Sequence, residues 1–149
     1  MSHDPRHLEV IYSDDIREEV GNKLSYMGVY SGELVVQNAP VLLTKLCISV
    51  KVVTDISDPF EALEVRIVKV KGDNETELLS TGPVPLPTGL PGLDNGSARI
   101  VAQMAFMLAP FQIEEEATLR VKAITEREEL RGMALRIRIA LPSASSTIQ

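Results

Sequence analysis

Few side chains in this sequence could do chemistry, and their spacing argues against most of what they could do. His3 and His7, the two histidines, stand near the N-terminus with Asp4 between them. Such a trio could hold a divalent metal only if its ligands were fixed in near-tetrahedral array, so a solvated segment is the simpler reading. Cys47 is the one cysteine, and a single thiol forms no internal disulfide. Apolar and polar residues alternate around it, which puts it mid-strand, away from any loop or helix N-terminus that would lower its pKa. A small packed side chain is expected there. The chain has no GxSxG, HExxH, Walker or GxGxxG spacing, hence none of the nucleophile, zinc or phosphate sites those motifs build. Asp14-Asp15, Asp55, Asp58 and Asp94-Asn95 fall at expected strand ends. Carboxylates gathered there could hold calcium, but no defined loop spacing is matched and Asp also simply favours turns. Acid pairs could serve glycoside hydrolysis, yet aromatic residues are only 4% and there is no Trp, so sugar platforms are scarce. The expectation is no enzyme, no cofactor and no metal.

The most informative constellation is cationic. Arg120 and Lys122 alternate outward on one expected strand, and Arg136 and Arg138 alternate outward on the next. If the two strands pair through the 127–131 segment, all four cations share one face. A slip of one residue would turn the apolar sets outward, so the register is constrained. Like charges facing across a ladder destabilise it, so something must offset them. A neighbouring strand could bring Glu64, Glu9 or the Glu114–Glu116 run. Alternatively, an acidic protein or another copy of this chain could supply carboxylates to the Arg forks. Arg120, Lys122, Arg136 and Arg138 are therefore the candidate partner-binding face. Glu114–Glu116 and the 126–131 segment read as solvated loops, or as the acidic half of a head-to-tail contact.

These residues need strands to position them, and the dominant period is two. Met133 to Leu141 sets Met, Leu, Ile, Ile and Leu at odd positions with Ala and Arg between them, a half-buried strand rather than a helix. Residues 117–126, 45–54 and 63–71 alternate likewise, with a bulge expected near Ile67-Val68. Residues 76–81 form a short strand. Arg99 to Leu108 is apolar on both faces, as for a central strand or one covered on both sides. At the N-terminus a hairpin of 8–19 against 23–30 competes with a single helical turn over 14–18. Residues 84–96 have no period. Four prolines and four glycines spread over 82–96 make 82–97 a long loop that is either functional or a flexible connection. The chain then divides into a flexible segment 1–7, one β-sandwich domain over 8–141, and a flexible tail 142–149. About seven to eight strands with little helix predict an all-β, antiparallel, immunoglobulin-like β-sandwich.

Composition bounds the partners. The chain has 149 residues, 44% of them hydrophobic, and a net charge of −6. That suits one globular domain with a core of its own. The acidic balance and sparse aromatics make nucleic acid an unlikely partner. No apolar segment has the length of a signal peptide or a membrane span, so a cytoplasmic protein is expected, with association to a particle leaving no trace in the sequence.

Two stretches carry a resemblance. Tyr12 to Tyr30 has a strand ending in Asp14-Asp15, the turn Gly21-Asn22-Lys23, and Leu-x-x-x-Gly-Val-Tyr over Leu24 to Tyr30. This resembles the opening of a family of small bacterial and phage proteins known only as a domain of unknown function. The stretch from Pro40 through Leu46-Cys47-Ile48 and the strand from Pro59-Phe60 to Val70 are also similar. The resemblance implies a compact β-sandwich and a prophage context. It brings no catalytic set and no family site residues.

Three functions follow as expectations. The leading one is a noncatalytic binding or assembly module, contacting a protein partner or itself as a homodimer through the cationic face. The second is a structural or accessory protein of a phage particle. The third is a small ligand-binding or enzymatic sandwich built around the Pro/Gly loop, with Asp14 and Asp15 as the residues to test and its small-molecule ligand unknown.

Overall fold

The computed structural model describes residues 5–86 and 99–140. These residues form twelve β-strands and no helix: β1 (His7–Glu19), β2 (Lys23–Val29), β3 (Glu33–Val36), β4 (Val41–Leu43), β5 (Leu46–Asp55), β6 (Leu63–Lys71), β7 (Asn74–Pro83), β8 (Arg99–Leu108), β9 (Phe111–Ile113), β10 (Ala117–Thr125), β11 (Glu129–Arg131) and β12 (Leu135–Ile139). The first sheet runs β2-β1-β5-β8. The second runs β3-β12-β10-β6-β7, with β11 also on β10, and β4-β9 form a two-stranded pair. All pairings are antiparallel except β3 with β12.

One apolar cluster joins the inner sides of both large sheets. β1 gives Leu8, Val10 and Tyr12, and β5 gives Leu46, Ile48, Val50 and Val52. Facing them are Val65 and Ile67 of β6, Leu119, Val121 and Ala123 of β10, and Leu135 and Ile137 of β12. Phe111 and Ile113 of the β4-β9 pair belong to the same cluster. Alternation at period two produces this, since every second residue faces the other sheet. Gly132 is buried in it because a Cβ there would run into the Val10 side chain.

The expected strand count of seven to eight is too low. The four additional strands, β3, β4, β9 and β11, have only three or four residues each. Such pieces are too short to display a period. β11 lies inside what was expected to be an open 127–131 loop, where Lys122 to Ile124 pair with Glu129 to Arg131. The β10–β12 contact is therefore confined to 117–119 against 135–137. The irregularity near Ile67-Val68 is present, but the extra residues sit on β7: Ile67 faces Leu79 while Val68 faces Glu77. Among the described residues β8 is neither central nor covered on both sides. It ends the first sheet, and its outward residues Val101 and Met107 are exposed.

The N-terminal hairpin pairs 13–19 with 23–29, without the helical turn. Its far half bends over the outside of the first sheet, where Tyr26 Oη lies 3.0 Å from Ser49 Oγ of β5. This cover explains why Cys47 and Ser49 are buried on the outward side of β5. Cys47 faces the Asp14 carbonyl at 3.8 Å. The bend is located at Gly28, whose φ of +68° is left-handed. A Cβ there would meet the Asp14 carboxylate, so both backbone freedom and space favour glycine.

Candidate partner-binding face

The register places Arg120, Lys122, Arg136 and Arg138 on the outer side of the second sheet. Leu119 faces Leu135 across the ladder and Thr118 faces Arg136, so residues 118, 120 and 122 share a side with 136 and 138. β6 adds Arg66, opposite Lys122. The four cations do not crowd one another, because the strands pair only near their ends. Arg136 stands opposite Thr118 rather than opposite another cation.

Their surroundings differ. Lys122 is only 8% exposed. Its Nζ donates to Glu75 at 2.7 Å and lies 3.9 Å from Glu129. The Lys122–Glu75 pair bridges the row that holds Arg120 and Val68, and Val68 is buried although it faces outward. The ammonium lowers the Glu75 pKa chiefly through that hydrogen bond. Arg138 reaches Glu33 of β3 at 3.2 Å. Among the described residues, Arg120 and Arg136 have no ion pair. The offsetting acids are therefore Glu75, Glu129 and Glu33, not those expected. Glu64 holds Arg66, Glu9 lies on the other sheet beside His7, and Glu116 accepts from the Ile139 amide at 2.9 Å.

A second polar cluster had no sequence signal. Arg6, expected in a flexible segment, is 6% exposed. Its Nη2 pairs with Glu126 at 2.8 Å and with Asp58 at 3.3 Å, and donates to the Pro59 carbonyl at 3.0 Å. Its Nε donates to Thr54 Oγ1, and its guanidinium lies 4.8 Å from the Phe60 ring centroid, within cation–π range. Arg127 forks onto the Asp58 carboxylate. Glu126 also accepts from the Glu61 and Ala62 amides. Arg6 and those two amides hold the Glu126 carboxyl down to about 2. Glu126 and Arg127 are exposed, as in a solvated loop, but they have fixed partners. They tie the β10–β11 connection to the β5–β6 connection and to the residue before β1.

Asp14 and Asp15 line an open cleft of about 360 Å³ with Tyr30 and Lys45. Tyr30 Oη donates to Asp14, and Lys45 Nζ donates to Asp15 at 2.7 Å. Burial and the adjacent Asp14 push the Tyr30 hydroxyl up to about 12, which leaves it a donor and a poor base. Among the described residues no three His, Cys, Asp or Glu side chains gather as a metal set. His3, Asp4, Asp94, most of the 82–97 loop and the 142–149 tail lie outside the described residues. No helix among the described residues is long and apolar enough to cross a membrane.

Two of the three elements that carry the resemblance meet in space, the strand end at Asp14 and the 24–30 strand. Gly28 stands against Asp14, and the Tyr30 hydroxyl closes on the same carboxylate. They form one structural lock between β1 and the end of β2. No family model and no curated protein matches the chain.

Proposed function

We propose that this protein is a noncatalytic binding and assembly module that takes an acidic protein segment on the outer face of its second sheet. The observation that carries this reading is the contrast among the four cations: Lys122 and Arg138 hold carboxylates in ion pairs, while Arg120, within the field of Glu75, and Arg136, opposite Glu33 in the ladder, form no ion pair among the described residues. A guanidinium prefers a planar, two-pronged acceptor, so these two forks suit Asp or Glu side chains of a partner. Lys122, buried on the central strand β10, and Arg138, towards β3, hold acids of this face in place. In the same reading the two sheets form an immunoglobulin-like sandwich, supported by antiparallel sheets facing one aliphatic core. Its place in the cell is the cytoplasm, and its family is the bacterial and phage domain of unknown function, supported by the Asp14–Gly28–Tyr30 lock.

The test is affinity capture on immobilised protein, comparing wild type with Arg120→Glu/Arg136→Glu. The expected result is an acidic protein retained by the wild type, released by salt, and absent from the variant. Equal capture by both baits would overturn the reading. A second reading, a structural component of a phage particle, is supported by the edge strand β8, whose far side meets no strand among the described residues.

A further inference from the structure

The ends of the two large sheets are guarded unequally. β7 ends the second sheet and carries Glu75 and Glu77, two register shifts, Gly82 and Pro83. β3 has four residues, the first of them Glu33. β2 is interrupted by Gly28 in a left-handed conformation. Charges, bulges, proline and shortness are the devices that stop an edge from pairing with another chain. β8 carries one charge, Arg99 at its first residue, and none of the other devices. It spans ten residues, pairs with β5 in unbroken register, and is uncharged and free of Gly and Pro from Ile100 to Leu108. Its far edge meets no strand among the described residues.

We infer that β8 is a homodimer edge, joining antiparallel to β8 of a second copy about a two-fold axis at Met104. The inference deepens the assembly part of the proposed function and rests on it, but uses a different surface from Arg120 and Arg136. An edge offers backbone N–H and C=O groups, and what satisfies them is another extended strand. The strand is complementary to itself. Centred on Met104, the inner side sets Ala102 against Phe106 of the second copy and Ile100 against Leu108, small beside large and apolar beside apolar. The outer side sets Val101, 47% exposed, against Met107, 58% exposed, and Gln103 against Ala105. No like charges meet.

The hairpin tip supplies charge complementarity. Glu18, Glu19 and Lys23 overhang Gln103 to Ala105 across an open cleft of about 370 Å³. Glu19 and Lys23 face each other across the ladder and have no ion pair among the described residues. The axis at Met104 brings two such tips together, Lys23 of one towards the glutamates of the other. β7 paired with its own copy would instead bring glutamates together.

Sedimentation across a concentration series tests this with the full chain. The wild type is expected to dimerise. Gln103→Lys/Ala105→Lys places lysine against lysine twice and should weaken the dimer by about ten-fold or more. Mixing it with Gln103→Glu/Ala105→Glu should restore a mixed dimer. Unchanged thermal unfolding of each variant at low concentration shows that it folds. A wild type that stays monomeric at every concentration overturns the proposal. So does amide-exchange protection of the outward β8 amides in a monomer, which would place the chain's own 87–98 segment on the edge. A dimer indifferent to both variants also overturns it. Arg120→Glu/Arg136→Glu should leave dimerisation intact, so loss of acidic-partner capture and loss of the dimer are read separately.

Discussion

The end of the molecule around Arg6 and the rim along β8 use side-chain chemistry in opposite ways. Around Arg6, charged groups gather on one another: a buried guanidinium, two partly exposed carboxylates and a second, exposed arginine meet beside Phe60. Along β8, residues at the rim are uncharged from Ile100 to Leu108, and their outer backbone groups meet no strand among the described residues. The expected arrangement, charge outside and apolar inside, is locally reversed in both places. A buried ionic knot is worth its desolvation only if its members are mutually satisfied. Its return is positional, because it fixes which turns meet at that end. An uncharged rim has the reverse property. It adds little to the fold but leaves a surface that another strand can read. Charge here fixes the chain to itself, and its absence leaves an edge available.

The largest effect should come from breaking the knot. Arg6→Ala removes the one cation that touches both Asp58 and Glu126 and leaves their carboxylates facing each other without it. A loss of about 3 kcal/mol in unfolding free energy is expected, measured by urea titration at neutral pH. A change within error would mean that Arg6 Nη1, which is buried and without a hydrogen-bond partner among the described residues, already cancels what the other nitrogens contribute.

Acid should loosen the same end selectively. The Glu126 carboxyl is held at about 2 in the folded chain against an ordinary 4.5, and Asp58 is also lowered, first by its hydrogen bonds from Arg127. A depressed folded pKa contributes stability that is fully present above the unfolded value. It is lost as pH falls through the folded one. Stability should therefore decline from pH 4.5 towards pH 2. Glu126→Gln should be less stable at pH 7 and show a shallower decline over that window. Parallel acid profiles for the two proteins would remove Glu126 from the explanation.

A smaller loss is expected one bond further out. Thr54 is buried, donates to the Asp58 carbonyl at 2.7 Å and accepts from Arg6 Nε. Thr54→Val keeps the shape and deletes both bonds, for about 1–2 kcal/mol. In an Arg6→Ala background the same substitution should cost less, since one of its two partners is already gone. Strict additivity would show that the knot is a set of separate contacts.

The contrast also explains what could be read from the sequence. Period two assigns β6 its bounds and assigns Arg120, Lys122, Arg136 and Arg138 to one face, because alternation is local. What offsets those cations is not local. Glu33 arrives on a parallel strand and Glu75 on a strand shifted by bulges, and strand order is invisible to alternation. Arg6 finds its partners 48 and more positions away, so a polar run at the start of the chain gave no hint of burial. β8 is apolar on both sides whether it is central or at a rim, and only the neighbours it lacks tell the two apart.

The smallest effect sharpens the other side of the comparison. Gln103 is exposed on the outward side of β8, with no side-chain hydrogen bond among the described residues. If the rim is a surface for recognition and not a support of the fold, Gln103→Thr should change monomer stability by no more than about 0.5 kcal/mol. Thr suits a strand at least as well as Gln, so the change would favour the folded state if it favoured either. Thermal unfolding at a concentration too low for association measures this directly. A clear destabilisation would mean that Gln103 supports the hairpin tip above it, and that the β8 rim helps to hold the molecule together as the Arg6 end does.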